Sequence, residues 1–515
     1  MYPSRPITPL LTVAFFLTIV STQAQQSPRF AWNWFFGDKA GLSFANGIGE
    51  PRGDGQLQTS EGSASISDPV TGDLMFYTNG VTVWNRLHEV MMNGNGLNGD
   101  ASTSQSAIIV PMPGSGALYY IFNPAPITAT SLNGRCYCLN YTVVDMRKDD
   151  GYGEVISKNL HLYDDITEHI AAIADCKNEG WWLVVRSRNT RHFYSFHIER
   201  GRINPQPVIS DAGNPLLVVQ SAGNMQISPN GRKLVITSVS GNSQLYDFEV
   251  STGKVLNAVS LFPPVIQGNH YGAAFSREGD RVYVAVSSTD GGLTPTKIYQ
   301  FTTIAATSTE IQNSRAVIGL LPNSSELTPM QLGPDGRIYI GRPKQAYLAW
   351  ISDANREADS VRFQDSVIKL GNLCRNGLPT FPAEFLGTGS AASSYCEAPV
   401  AGFAIDSGCV SSCLTFPDLS VGRVDSYEWF FEGASPPNSV RKDPGAICYG
   451  SAGVFAIRLI VKNPYGEDTA VSSVRILPRP DVEVDSVLEI CPGQSIRLNA
   501  RGAVKLSLIH ISEPT

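Results

Sequence analysis

Apolar residues fall into short runs, and polar turns carrying glycine separate them at regular intervals. "SDPVTGDLMFYTNGVTVWNR" from Ser67 shows the pattern: a turn at Gly72, an aromatic run, then a second run. It returns in "PGSGALYYIFNP" from Pro113, "DCKNEGWWLVVRSRNTRHFYSFHI" from Asp175 and "SPNGRKLVITSVSGNSQLYDFEV" from Ser228. "SREGDRVYVAV" from Ser276 and "GPDGRIYIGRPKQAYLAWI" from Gly333 complete the series. The turn glycines Gly72, Gly116, Gly180, Gly231, Gly279 and Gly336 stand 44 to 64 residues apart. Each is expected at φ > 0, where a side chain is costly.

Repeats of about fifty residues with about four short strands each predict an all-β chain built on a β-propeller. One such unit cannot bury both of its faces, so the units must stack radially and close a ring. "AWNWFFGDKAGLSF" from Ala31 and "GLPTFPAEF" from Gly377 can share a seventh, closing blade. About seven blades are expected, with six or eight also compatible.

After "GTGSAASSYCEAP" the pattern changes. Phe455, Ile457, Leu459 and Val461 alternate with Ala456, Arg458, Ile460 and Lys462, as in a sandwich strand. Trp429 lies mid-strand and is the expected core anchor. "DVEVDSVLEICPGQSIRLNA" opens a further unit that lacks the strands needed to cover it. The expected division is a signal peptide at 1–24, a propeller at 25–395, a sandwich at 396–478, and the start of a second Ig-like unit at 479–505. Residues 506–515, "LSLIHISEPT", back-translate to a sequencing-library adapter and are expected to be an artefact.

Composition narrows the compartment. The 515 residues are 42% apolar and 17% charged, with a net charge of −7 and no long basic block, which argues against a nucleic-acid partner. Arg5 precedes an apolar run from Leu10 to Val20, and Thr22-Gln23-Ala24 supplies a cleavage site. As a helix that run rises ~16 Å, short of a bilayer core of ~30 Å. Export is therefore expected, with no transmembrane segment. Nine cysteines then point to disulfides. Cys136 and Cys138, two apart on a strand, are poorly placed to bond each other. The odd total leaves at least one without an intrachain partner, and Cys491 is the candidate.

"NWFFGDKAGLSF", "NGNGLNGDASTSQSAIIVP", "MQISPNGRKLVI" and "LGPDGRIYI" together resemble a family of exported Bacteroidota proteins. Members carry a WD-repeat-like propeller, then PKD or other Ig-like domains, and many end in a type IX secretion sorting domain. "YEWFFEG" followed by "ICYGSAGVFAIRLIVKNPYGEDT" is similar to a PKD domain, with "EGA" replacing the usual acidic turn. The resemblance implies a surface or secreted protein that binds an extracellular protein or glycan. It implies no catalytic residue, cofactor or metal. Within the PKD-like unit it places Cys413 and Cys448 close enough to bridge, with Cys396 and Cys409 as competing partners.

Local chemistry is sparse. Gly94 to Gly99, "GNGLNG", matches a dinucleotide fingerprint, but a loop and strand follow where a helix is needed. His88, His161, His169, His192, His197, His270 and His510 form no H-E-x-x-H, and His192 and His197 fall on opposite faces of one strand. Trp181 and Trp182, like Tyr119 and Tyr120, are adjacent, so one of each pair faces a blade core. A propeller glycosidase or lyase remains the alternative, since its paired carboxylates would come from distant blades. An acid-rich pocket at the central channel would favour it.

Overall fold

The computed structural model describes residues 28–124, 137–216, 222–387 and 396–478, apart from 240, 265, 267, 306, 323–325, 406, 423 and 464, plus two short strands beyond them. The expected signal peptide at 1–24, Cys136, Cys491, His510 and the 506–515 tail lie outside these residues.

Period-two patterning becomes antiparallel sheets. Blade 1 has three strands, Asn33–Phe36, Ala40–Ser43 and Glu50–Arg52. Six further sheets follow in chain order. Blade 2 begins with Ala64–Ser67 and blade 3 with Ile108–Pro111. The two join at their outer edges through one parallel pair, Met92 with Glu154. Blade 4 begins with Ile166–Ala174, followed by Trp181–Ser187 and His192–Glu199. Blades 5, 6 and 7 begin with Met225–Ile227, Asn269–Phe275 and Met330–Leu332. The first strands of successive sheets from blade 1 to blade 7 lie against one another and form the inner ring. The fold is a seven-sheet propeller followed by a sandwich.

The ring closes between the two segments expected to share a blade, but they do not share one. Blade 1 takes all three of its strands from 33–52, and among the described residues the closing segment adds only a single bridge, Pro379 beside Ser63. Thr380 donates its N–H to the Ser63 carbonyl at 2.8 Å, and Arg375 pairs with Asp38 at 2.6 Å. Phe381 packs on Trp34, and Phe385 stacks on Phe30 with centroids 4.3 Å apart. Apolar contact between the two chain ends holds the closing segment, as expected when neither end can bury its aromatic rings alone.

Two expected turn positions are corrected. Gly72, Gly231, Gly279 and Gly336 have φ between 72° and 83°, but in blades 3 and 4 Gly114 (φ 75°) and Asn178 (φ 54°) take that role. Gly116 and Gly180 do not. Asparagine tolerates the left-handed region, so glycine spacing alone misplaced the turn.

In the sandwich, Ser426–Phe431 pairs with Gly453–Asn463, which pairs with Gly466–Leu477. Trp429 is fully buried and lies parallel to Phe431 at 5.7 Å. Ile457, Leu459 and Val461 are buried, whereas Phe455 is only partly so. Beyond it, Glu483–Val484 pairs with Ala500–Arg501.

Candidate functional site

The channel end of the propeller gathers polar groups from five blades. Glu61 and Ser104 precede the first strands of blades 2 and 3, Glu168 and Tyr271 lie in those of blades 4 and 6, and Gly223 precedes that of blade 5. Glu168, 1% exposed, accepts the backbone N–H and hydroxyl of Ser104 on one oxygen, at 2.7 and 2.8 Å. Ser104 Oγ accepts the Gly223 N–H at 3.2 Å. The Tyr271 hydroxyl donates to Glu61 at 3.3 Å. Burial, and then the charge of Glu168, pushes the Glu61 carboxyl up to about 8, so it holds its proton at neutral pH.

Deeper in the ring, Gln105 accepts the N–H groups of Ile170 and Met225 and so ties blades 3, 4 and 5 together. His169 is fully buried, with Nε2 2.9 Å from the Thr237 carbonyl and Nδ1 3.0 Å from the Thr167 hydroxyl. Nε2 therefore carries the proton. Burial holds the ring down to about 4, which keeps it neutral. Between Ile170, Met225, Leu332 and the closing residues Phe381 and Leu386 only about 20 Å³ remains, enough for about one water.

A larger space lies beside blade 4. A cleft of about 820 Å³ is lined by Asp175, Trp181, His197, Glu199 and Arg200, with Glu384 from the closing segment. Trp182 is buried, its indole N–H donating to the Val250 carbonyl at 2.7 Å, whereas Trp181 is only half-buried. Asp175 and Glu199 take the two nitrogens of His197 at 3.0 and 3.1 Å. Burial pushes the Glu384 carboxyl up to about 7; a backbone hydrogen bond at Ala174 opposes the rise and the charge of Asp175 adds to it. At the rim, Cys176 is disulfide-bonded to Cys396, and the Tyr465 hydroxyl of the sandwich lies 3.5 Å from its sulfur.

The Cys176–Cys396 bond removes Cys396 as a competitor for Cys413. Cys413 and Cys448 are themselves disulfide-bonded, opposite each other on paired strands with Cα atoms 4.1 Å apart. Cys138 is also disulfide-bonded. Of the described cysteines, Cys374 is free and buried, and Cys409 is free and exposed. Cys138, His161 and Asp164 lie close enough to suggest a metal cluster, but a disulfide sulfur is no thiolate ligand. His192 neighbours the Tyr194 ring while His197 turns to Asp175, so the two do not converge. From Gly96 to Ala107 the chain runs through bends and turns into the strand Ile108–Pro111, without the helix a dinucleotide site needs. Sequence reasoning missed Glu61, Glu168 and Glu384. Only their residue type was visible, and acidic residues are abundant.

No protein-family model matches the chain, and no curated protein matches it. Among solved structures, a candidate 6-phosphogluconolactonase from Bacteroides uniformis is 11% identical, with a TM-score of 0.41, covering 67% of this chain and 96% of that one. A protein from Lactobacillus plantarum is 10% identical, with a TM-score of 0.40, covering 68% and 99%. The PKD1 domain of the Vibrio cholerae metalloprotease PrtV is 24% identical, with a TM-score of 0.14, covering 16% and 98%. These likenesses bring no substrate or activity to this chain.

Proposed function

We propose that this chain is an exported Bacteroidota surface or secreted protein that recognises an extracellular glycan or protein through its propeller, without catalysis. The observation that carries this reading is the cleft beside blade 4, where aromatic and charged side chains face a ligand-sized space. The apolar run from Leu10 to Val20 and two disulfides among the described cysteine pairs are in keeping with export. No helix among the described residues is long and apolar enough to cross a membrane. The proposed domain limits are 25–395 for the propeller and 396–478 for the sandwich.

The enzyme reading has one specific observation behind it, the Glu61–Glu168 pair in the channel. A protonated acid beside an ionised one is the arrangement glycosidases use. Here, though, Glu168 is enclosed and occupied by protein donors. A glycan and protein binding array run beside a polysaccharide degradation screen separates the readings. Retention of a ligand without cleavage is expected. Depolymerisation of any glycan by the purified chain would overturn the proposal.

A further inference from the structure

Four carboxylates line the blade 4 cleft, Asp175, Glu179, Glu199 and Glu384, against two fixed cations, Lys177 and Arg200. Two of the four are engaged by His197, and Asp175 also accepts the backbone N–H groups of Lys177 and Glu179. Glu384 differs. It contributes to the wall of the cleft, yet its Oε2 is closed to solvent and has no hydrogen-bond partner. An unpaired buried carboxylate oxygen is costly, and a donor that draws the group toward the cleft removes that cost.

The two tryptophans divide their tasks. Trp182 is committed to the fold: its N–H is taken, its ring covers Gly253, and His197 packs on it at 4.5 Å. Trp181 meets Phe385 edge-on at 5.8 Å and stays half-buried on the cleft wall. An aromatic face with an excess of carboxylates around it attracts an organic cation. Asn178 and Ser251 on the same wall add hydrogen-bonding groups of the kind that hydroxyls pair with. That combination suits a sugar ring bearing an amine better than a single lysine side chain, which offers an ammonium group but no hydroxyls for those groups to pair with.

Resting on the recognition reading, we infer that this cleft binds an amine-bearing sugar unit of a glycan, with Glu384 accepting from the ammonium group and Trp181 stacking on the ring. An ammonium group alongside Glu384 favours its ionised form over the protonated one that burial promotes.

The test is calorimetric titration of the full chain with a glucosamine hexamer, its fully N-acetylated counterpart and a lysine hexapeptide. The glucosamine oligomer should bind. Trp181→Ala and Glu384→Gln should each weaken it by roughly tenfold or more. Glu384→Gln nearly preserves side-chain size, so it keeps the question open should Trp181→Ala fail to fold. Equal binding of the acetylated oligomer, binding of the lysine peptide alone, unchanged affinity in both variants, or no binding at millimolar glucosamine oligomer would each overturn the inference. Should the array yield a ligand that ignores both substitutions, this site is refuted while recognition by the protein stands.

Discussion

The propeller holds two sites where a carboxylic acid is buried beside another acid, and they are built oppositely. At the channel, the protein supplies the hydrogen-bond donors: Ser104 serves Glu168 and Tyr271 serves Glu61. At the blade 4 cleft, Glu384 keeps an oxygen without a donor, next to a space of about 820 Å³. Burial raises the affinity of Glu61 and Glu384 for a proton, to about 8 and about 7. A perturbed acid therefore does not by itself mark a working site. What separates the two is whether the protein already supplies a donor to the oxygen and whether the group borders a ligand-sized cleft.

The comparison can be broken by mutation. The largest effect is expected from Cys176→Ser, because that disulfide spans 220 residues and ties the end of the closing segment to blade 4 beside the cleft. In the chain-entropy treatment a loop of that size is worth about 5 kcal/mol. Thermal melting without reductant should show the propeller transition falling steeply, with the closing segment loosened and the cleft disrupted. Cys413→Ser opens a loop of 35 residues, worth about 4 kcal/mol, and Trp429→Ala should cost about 3–5 kcal/mol. Both losses should be confined to the sandwich transition, and non-reducing peptide maps of the parent chain should show Cys413 joined to Cys448.

Smaller effects sharpen the contrast between the acids. Glu61 is raised from an ordinary value near 4.5 to about 8. Its contribution is fully present below pH 4.5 and lost as pH rises through 8. Glu61→Gln should therefore stabilise the propeller above pH 8, on the order of 2 kcal/mol, and flatten this part of the pH profile. The smallest effect is expected at Glu384, where the same loss runs from about 4.5 to about 7. Glu384→Gln should raise stability at pH 8 by about 1 kcal/mol. Melting curves across pH 4 to 9 read both.

Much of the architecture was legible in the sequence because sheets impose a local signal. The alternation of Ile457, Leu459 and Val461 and the turn at Gly72 follow from neighbours a few residues away. The meeting of the 31–44 and 377–385 segments could be read, but not its form: they pack through Trp34 and Phe381 without sharing a sheet. The sites were not legible. Glu61, Ser104 and Glu168 meet only because ring closure brings the starts of separate blades together, and no local spacing records that. The Cys176–Cys396 pairing was not legible for the same reason, and Cys396 was weighed only as a competitor for Cys413: an intervening loop of 220 residues carries no register. Gly116 and Gly180 failed on a finer point, since Gly114 and Asn178 satisfied the backbone first.

On the proposed function, the channel acids belong to the fold and recognition takes place elsewhere on the propeller. The most direct measurement is the glycan-array profile and degradation screen of Glu61→Gln beside the parent chain. Superimposable binding profiles and no depolymerisation by either protein are expected on that reading. A glycan cleaved by the parent chain and left intact by Glu61→Gln would contradict it.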